Sequence, residues 1–190
     1  MSKVLEIRWH GRGGQGAKTA ALLLAQSAFE LGMYIQGFPE YGPERMGAPV
    51  TAYNRISDSP ISIHSNIFHP DVVVVIDDTL IGKANVTDGL DESKSIIVNT
   101  NQDPKEIARK LNFKGKLYTV DADQISIDTL GKPFPNTPMM GAVVKVTGVM
   151  TYNDFYQNMK SQLEDKFVQK PEIIEGNLQA IERAYQEVKG

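Results

Sequence analysis

The residues best suited to chemistry lie in a glycine-rich segment near the start of the chain, where Gly11, Gly13 and Gly16 follow the pattern Gly-x-Gly-x-x-Gly. Between a strand and a helix, such glycines let the backbone turn tightly and approach a ligand. The free N–H groups and positive dipole end of the helix attract an anion such as a phosphate. The candidate binding residues are Gly11, Arg12, Gly13, Gly14, Gln15 and Gly16. A second interpretation stays open, in which the glycines only allow close helix-to-strand packing, a tight turn or a subunit contact.

The same pattern occurs in dinucleotide-binding folds, which place an acidic residue about 20 residues later at the end of the second strand. Glu40 lies near that place, but it follows Pro39 and belongs to a loop. NAD-type hydride chemistry is therefore the least favoured interpretation of the segment.

A phosphate-binding loop of the NTPase type requires a lysine directly after its last glycine. Gly11 and Gly16 have the required separation. Lys18 and Thr19 follow, but Ala17 stands between the glycine and the lysine. One extra helical residue rotates the lysine by ~100°. We reject an NTPase on this ground.

A second loop, Phe38–Pro49, contains three prolines and two glycines among its twelve residues. Its candidate binding residues are Glu40, Tyr41, Glu44 and Arg45. Arg45 is suited to a bidentate contact with a carboxylate or phosphate, and Tyr41 offers a flat contact face with a polar tip. A constrained loop of this kind is typical of a binding surface. The alternative is a connector in which Glu44 and Arg45 pair with each other or with the neighbouring strand.

The remaining polar residues do not form a recognisable catalytic set. His10, His64 and His69 have no metal-ligand spacing. Asp77 and Asp78 follow a strand, where they are suited either to facing a ligand or to capping the helix that follows. The chain contains no nucleophile-elbow pattern. We expect no catalytic residue and no metal ligand in this chain.

The elements that must position these loops follow from periodicity. Alternating apolar and charged residues predict a strand over Val4–Trp9, and the Ala- and Leu-rich stretch Ala17–Leu31 predicts a helix ended by Gly32. Further strands are predicted at Tyr34–Phe38, Val72–Ile76, Ser95–Asn99 and Leu117–Val120, and helices at Pro104–Leu111, Pro138–Val149, Phe155–Leu163 and Pro171–Val188. Strands that alternate with helices indicate a three-layer α/β/α fold with a mostly parallel sheet, a Rossmann-like glycine loop and a helical C-terminal part.

One antiparallel hairpin is also predicted. Its strands are Val50–Ile56 and Ile61–His64, joined across the turn-forming residues Asp58–Pro60. We expect this hairpin to add to the parallel sheet.

Composition limits the classes of function. The chain has 190 residues and a net charge of −3, which predicts a single domain over 1–190, with a sheet region of about 1–130 and a helical region of about 136–190. The mildly acidic balance argues against a nucleic-acid partner. Glu6 precedes any apolar signal-peptide core, and Val72–Ile76 is far shorter than the ~20 residues of a membrane span. We therefore expect a soluble, cytoplasmic protein with no membrane partner.

Cysteine is absent from the chain. Iron–sulfur clusters and Cys-type zinc sites need thiolate ligands, so this chain alone cannot build either of them. Any such cluster must be bound by another chain.

Four separated motifs carry a family resemblance. They are Ile7–Ala17, the Pro39–Pro49 loop, Pro70–Asp77 and Asn136–Ala142. Together they resemble the gamma subunit of pyruvate:ferredoxin oxidoreductase, and the similarity covers nearly the whole chain in order and spacing. The resemblance implies oxidative decarboxylation of a 2-oxoacid, with transfer of the acyl group to coenzyme A and of electrons to ferredoxin, in a reversible reaction.

The resemblance also implies partners and cofactors. Alpha-, beta- and delta-type subunits of the same oxidoreductase would hold thiamine diphosphate, magnesium and the [4Fe-4S] clusters, and this chain alone would bind no cofactor. We expect the two glycine-bearing loops to face the partner subunits near the active site and to receive the coenzyme A phosphates or to order their entry. Arg12 and Arg45 are the side chains expected to do so, together with the amides of Gly13–Gly16.

The substrate is less closely specified. Pro39–Gly42, Glu44-Arg45 and Gly47–Pro49 are similar to the loop of pyruvate-specific members. Met46 stands where relatives often have a small or hydroxyl residue, so 2-oxoisovalerate and oxalate stay open as substrates. Two further alternatives are a stand-alone nucleotide-binding enzyme and an adaptor whose loops contact protein only.

Overall fold

The computed structural model describes residues 4–40, 46–168 and 170–190. The strands are β1 (Leu5–Arg12), β2 (Tyr34–Pro39), β3 (Pro49–Ser57), β4 (Val72–Val75), β5 (Ser95–Asn99) and β6 (Lys116–Val120). The helices are α1 (Ala17–Glu30), α2 (Pro104–Leu111), α3 (Ala122–Leu130), α4 (Asn136–Thr147), α5 (Tyr152–Lys166) and α6 (Pro171–Glu187), and a short 3₁₀ turn spans Asp78–Leu80.

The strands form one mixed sheet. Within the described residues it has six strands in the order β2-β3-β1-β4-β5-β6. Strands β1, β4, β5 and β6 pair in parallel, whereas β3 is antiparallel to both of its neighbours, β1 and β2. The prediction of a mostly parallel sheet with an antiparallel element is confirmed.

Helices cover the sheet on two faces. Residues of α1, α3, α4, α5 and α6 pack with one face in the larger apolar core, and α2 packs with the other face in a smaller core. Successive strand side chains point to opposite faces, so Val72 and Val74 enter the larger core while Val73 and Val75 enter the smaller one. The three-layer α/β/α prediction is therefore confirmed, and the central strand is buried on both faces as its unbroken valine run indicates.

The predicted hairpin is wrong in its second strand. Ile61–His64 has no strand structure, although Val50–Ile56 lies within β3. The physical reason is that β3 is an interior strand whose two edges are already occupied by β1 and β2. No edge of β3 remains for Ile61–His64, and Pro60 lacks an N–H group to begin a ladder.

Helix α3 was not predicted from the sequence. It begins directly after β6, where the Asp121 side chain accepts a hydrogen bond from the Gln124 N–H and so caps the helix. An aspartate before Ala122 is a usable start signal. None of the helices within the described ranges is long and apolar enough to cross a membrane.

Candidate functional site

The glycine segment forms the turn between β1 and α1, at the edge of the sheet where the parallel strands end. Gly16 adopts a left-handed conformation (φ 80°), and a Cβ atom placed there would lie 2.9 Å from the Asn136 Cγ atom. A Cβ on Gly11 would lie 3.3 Å from the Ala17 Cβ. Gly16 is therefore required for the turn and for close packing against Asn136, whereas a side chain at Gly11 would only press against Ala17.

The turn lies at a topological switch point. The chain leaves β1 toward the face covered by α1, and it leaves the neighbouring strand β4 toward the opposite face, where Leu80 enters the smaller core. Ligands of open α/β sheets bind in the crevice outside such a pair of strand ends. In this chain the crevice brings Arg12 and Gln15 of the glycine segment to Asp77 and Thr79.

Asp77 is the centre of this contact. Its Oδ2 accepts hydrogen bonds from Gln15 Nε2 (2.6 Å) and Arg12 Nε (3.1 Å), and its Oδ1 accepts from the Thr79 N–H (2.9 Å) and hydroxyl (2.6 Å). Burial raises the pKa of the Asp77 carboxyl, but the hydrogen bonds from Thr79 and Gln15 and the positive charge of Arg12 outweigh it and hold the pKa below its ordinary value. Asp77 is therefore ionised in its present surroundings.

Arg12 uses all three of its guanidinium nitrogens within the chain. Besides the ion pair with Asp77, its Nη1 donates to the Gly47 carbonyl (3.1 Å) and its Nη2 to the Thr79 hydroxyl (2.9 Å). The side chain thus joins the glycine segment to the segment before β3 and to the turn after β4. The sequence analysis predicted a ligand contact for Arg12, whereas in this structure the residue ties loops together.

The end of the proline-rich loop is attached to the glycine segment. The Gly13 N–H donates to the Ala48 carbonyl (2.9 Å), and the Gly47 N–H donates to the Gly13 carbonyl (3.0 Å). Met46 is 89% exposed and lies over Gly14. The two loops singled out from the sequence therefore meet in space. Tyr41, Glu44 and Arg45 lie outside the described residues.

Glu40, the described carboxylate of the proline-rich loop, contacts Tyr53 of β3. The Tyr53 hydroxyl donates to its Oε2 at 3.2 Å. Burial, followed by the neighbouring Glu40 charge, raises the pKa of Tyr53 to about 12. Among the described residues, no side-chain hydrogen bond joins Glu40 to the glycine segment.

The buried Arg8 and the half-buried His10 form a polar pair next to Tyr53 that the sequence analysis did not predict as a site. The Arg8 Nε donates to His10 Nε2 at 3.0 Å, and Arg8 Nη2 donates to the carbonyls of Val86 and Asp88. Burial and then the Arg8 charge lower the pKa of His10 to about 4. The alternation of side chains along β1 could have predicted this pair, because it places both residues on the face opposite Trp9.

The starts of α1 and α4 lie side by side, since Asn136 packs against Gly16. Neither helix has a side-chain cap or an acidic residue in its first turn within the described residues. The other four helices differ: α2, α3 and α5 have a side-chain cap, and each of the four, including α6, has an acidic residue in its first turn. The N–H groups at the start of α1 are thus not matched by a negative side chain of the helix itself.

A cavity of about 250 Å³ opens beside the start of α1. Its lining residues are Arg12, Gly13, Gly14, Gly16, Ala17, Lys18, Thr19 and Val50. The cavity is therefore lined by residues of the glycine turn and by two residues with cationic side chains. Across the described ranges, no cluster of three or more His, Asp or Glu residues is placed to hold a metal ion.

A separate set of hydrogen bonds joins the ends of the neighbouring strands β4 and β5. Asn99 Nδ2 donates to the Ile76 carbonyl (2.9 Å) and to Asp123 Oδ2 (3.0 Å), and the Thr100 hydroxyl donates to Asp78 Oδ2 (3.0 Å). Asp78 thus faces away from the glycine segment although it follows Asp77 directly. Sequence analysis did not predict Asn99 or Thr100.

Comparison with known proteins agrees with the fold. Residues 6–187 match the family described as pyruvate ferredoxin/flavodoxin oxidoreductase. The chain is 46% identical over 187 residues to the pyruvate synthase subunit PorC of Thermotoga maritima, covering 98% of this chain and 96% of the relative. It is 45% identical over 183 residues to the pyruvate/ketoisovalerate oxidoreductases common subunit gamma of Thermococcus kodakarensis, covering 96% of each.

A solved structure shows the same architecture. The crystal structure of pyruvate oxidoreductase subunit PORC from Thermotoga maritima has a TM-score of 0.85 to this chain at 43% identity, covering 98% of both chains. The family match and the structural similarity therefore define the chain as an α/β subunit of an oxidoreductase. The chain belongs to the pyruvate ferredoxin/flavodoxin oxidoreductase family. The relatives that it matches along nearly its whole length are named as subunit PorC of pyruvate synthase and as a common subunit gamma, which confirms the family resemblance found in the sequence motifs.

Proposed function

We propose that the chain is the gamma subunit of a cytoplasmic pyruvate:ferredoxin oxidoreductase that also contains alpha-, beta- and delta-type subunits. The complex would convert pyruvate, coenzyme A and oxidised ferredoxin into acetyl-CoA, carbon dioxide and reduced ferredoxin, and the reverse. The observation that carries the proposal is the 46% identity to a pyruvate synthase subunit over nearly the full length of both chains.

The thiamine diphosphate, magnesium and [4Fe-4S] clusters of the complex belong to its other subunits in this proposal. The chain has no cysteine to ligate a cluster. When bound, thiamine diphosphate supplies the carbanion chemistry of decarboxylation. The part assigned to this chain is assembly and the reception of coenzyme A.

The choice of 2-oxoacid is assigned to the partner subunits. A relative that is 45% identical is named as a subunit common to pyruvate and ketoisovalerate oxidoreductases. A subunit that serves two enzymes does not by itself distinguish their substrates. The same consideration keeps 2-oxoisovalerate as the second substrate for a complex containing this chain.

Within the chain, the proposed coenzyme A site is the start of α1 with Gly13–Gly16 and the adjoining proline-rich loop. Three observations support it. The first-turn N–H groups of α1 have neither a side-chain cap nor an acidic neighbour in the same turn among the described residues. The adjacent cavity is lined by Arg12 and Lys18. The cavity also lies at the switch point, which is the usual place for a ligand of an α/β sheet. A phosphate group fits a helix start of this kind.

Reversing one charge at the start of α1 tests this site. Lys18 is exposed and is the second residue of the helix. Lys18→Glu puts a carboxylate where the proposed phosphates lie, so the KM for coenzyme A in the complete complex should rise by about tenfold while kcat changes little. Lys18→Gln, which only removes the charge, should have a smaller effect in the same direction.

The chain offers a matched control for this charge reversal. Lys105 is the second residue of α2 and is also exposed. Lys105→Glu makes the same change at the same helical position away from the glycine segment, so it should leave the KM for coenzyme A unchanged. An unchanged KM in Lys18→Glu, or an equal rise in Lys105→Glu, would contradict the proposed site.

A further inference from the structure

We propose that Asp77 is a positioning residue that holds the glycine segment in the conformation in which it receives its ligand. Asp77 is not among the residues that line the cavity beside α1, and it acts on the cavity through Gln15 and through the lining residue Arg12. The identity of the ligand as coenzyme A rests on the proposed function, whereas the holding role rests on the contacts of Asp77 alone.

Gln15 is the first connection. Its Nε2 donates to Asp77 Oδ2 at 2.6 Å, and its Oε1 accepts a hydrogen bond from the Arg12 N–H at 2.7 Å. The amide side chain therefore spans the turn that it belongs to. Once Asp77 fixes the Nε2 end, the Oε1 end fixes the backbone at Arg12.

Arg12 is the second connection. Its Nε donates to the same oxygen, Asp77 Oδ2, and its Nη1 reaches the Gly47 carbonyl at 3.1 Å. Gly47 is bound in turn to Gly13 through its own N–H. One carboxylate oxygen is thus the common acceptor for the side chains that hold both loops of the site.

The carboxylate itself is held in one orientation. Its other oxygen accepts from the N–H and the hydroxyl of Thr79. All four partners of Asp77 are donors, so a carboxylate satisfies them and an amide does not. In Asp77→Asn the NH₂ group faces donors whichever way it is turned, and either the Thr79 side or the glycine segment loses its acceptor.

Asp78 is a matched control for Asp77. It is the next residue in the chain, and its carboxylate accepts a hydrogen bond from Thr100, on the side away from the glycine segment. Asp78→Asn removes the same charge at the same strand end. It therefore controls for the loss of one negative charge, because it leaves the contacts of Asp77 with the glycine segment in place.

The experiment compares complete oxidoreductase complexes that contain the wild-type chain, Asp77→Asn or Asp78→Asn. Hydrogen–deuterium exchange of peptides covering residues 11–20 reports the loop directly, and steady-state kinetics report the KM for coenzyme A and kcat. In Asp77→Asn we expect faster exchange of this segment and a KM for coenzyme A raised about tenfold, with kcat at saturating coenzyme A nearly unchanged, because a charged hydrogen-bond acceptor has been lost. Asp78→Asn should match wild type in both measurements.

A second variant covers the case in which Asp77→Asn fails to assemble. Gln15→Leu removes the connection to the Arg12 N–H but keeps the Asp77–Arg12 ion pair, and it should produce the same changes at a smaller size. The double variant Gln15→Leu/Asp77→Asn should be no worse than Asp77→Asn alone, since Gln15 holds the turn only while Asp77 anchors its Nε2 group.

The outcomes separate this inference from the proposed function. Unchanged exchange in Asp77→Asn and Gln15→Leu, or equal changes in Asp78→Asn, overturns the role of Asp77. Faster exchange with an unchanged KM for coenzyme A supports the role of Asp77 and overturns the coenzyme A site. Faster exchange with a raised KM and a steady kcat supports both.

Discussion

Two halves of one sheet face differ in how they are buried. A single row of paired residues crosses all strands of the described sheet, and its members are Phe38, Tyr53, Arg8, Val73, Ile96 and Leu117. From Val73 onward the row is aliphatic and packs in the core beneath α2. On the other side of the β1/β4 pairing, Arg8 and Tyr53 are as well buried, at 6% and 4% exposed, although both are polar.

The difference lies in the contacts that each half makes. The aliphatic side chains pack with apolar side chains of α2 and of the segments around it, whereas Arg8 and Arg55 donate hydrogen bonds to backbone carbonyls of irregular segments. Arg8 reaches Val86 and Asp88, and Arg55 reaches Asn66. A polar strand face therefore allows loops to be packed against a sheet, because its side chains satisfy backbone groups that would otherwise be buried without partners. The row changes from polar to aliphatic side chains between β1 and β4, and β1 is the strand that ends in the glycine segment.

The largest expected effect is in the aliphatic half. Ile96 is completely buried among Val73, Val98 and the α2 residue Ile107. Ile96→Ala should lower the free energy of unfolding by about 4 kcal/mol, from lost burial and the cavity left behind. Urea denaturation measures the change. Ile63→Ala, at an exposed position in a loop, is the control and should cost less than about 0.5 kcal/mol.

The next largest effect is expected in the polar half, where replacing Arg55 removes an ion pair with Glu6. Arg55 is 1% exposed and donates from Nε to Glu6 Oε1 at 2.7 Å and from Nη1 to Gln36 Oε1 at 3.1 Å. Arg55→Met should cost about 3 kcal/mol in unfolding free energy, because the Glu6 carboxylate loses its cation while partly buried. Adding Glu6→Gln should recover part of the loss. A double variant as unstable as the single one would show that packing, rather than the charge, is what Arg55 supplies.

The two halves should also differ in their response to pH. His10 has its pKa lowered to about 4 from an ordinary value near 6.5, so between these values the unfolded chain binds a proton that the folded chain does not. Stability therefore rises with pH across that window, and His10 should account for a loss of about 2 kcal/mol on going from about pH 8 to about pH 5. His10→Gln, which can still accept from Arg8, should unfold with a weaker pH dependence over the same range. Parallel pH profiles for wild type and His10→Gln would contradict the lowered pKa of His10 in the folded chain.

The smallest effect is expected at the rim of the polar half. Tyr53→Phe removes the hydrogen bond to Glu40, whose carboxylate is exposed and can be hydrated instead. The free energy of unfolding should fall by only about 0.5 kcal/mol. Tyr34→Phe, on the exposed end of the neighbouring strand, serves as the reference in the same denaturation series. A loss as large as that of Arg55→Met would mean that Tyr53, and not the arginine, organises the polar half.

Sequence patterns predicted the elements whose signals are local. The valine run of β4 and the span Pro104–Leu111 of α2 were predicted within one residue of their observed ends. The failure at Ile61–His64 has a different origin, since an alternating apolar stretch becomes a strand only if a sheet edge is free to pair with it. Whether β3 has a free edge depends on β1 and β2, which are distant in sequence.

The candidate site divides in the same way. The glycine segment and the proline-rich loop were recognised from their composition, but the partner of Arg12 was not. Asp77 is 65 positions away, and the sequence analysis weighed it only as a ligand-facing or capping residue. A guanidinium group is suited equally to a phosphate and to a carboxylate of its own chain. The sequence contains no signal that chooses between them.

By itself, then, the sequence determined the family, the α/β class, the positions of the loops and the absence of cysteine ligands for an iron–sulfur cluster. These properties depend on residue types and on spacings within a few residues, where turn chemistry and periodicity act. Only the tertiary structure decided that β1 lies between β3 and β4, that Gly16 faces Asn136, and that Asp77 is the common acceptor beneath the glycine segment. Those contacts join residues far apart in the chain. They form because buried strands and charged groups need hydrogen-bond and ion-pair partners, and the local sequence does not specify which distant residues supply them.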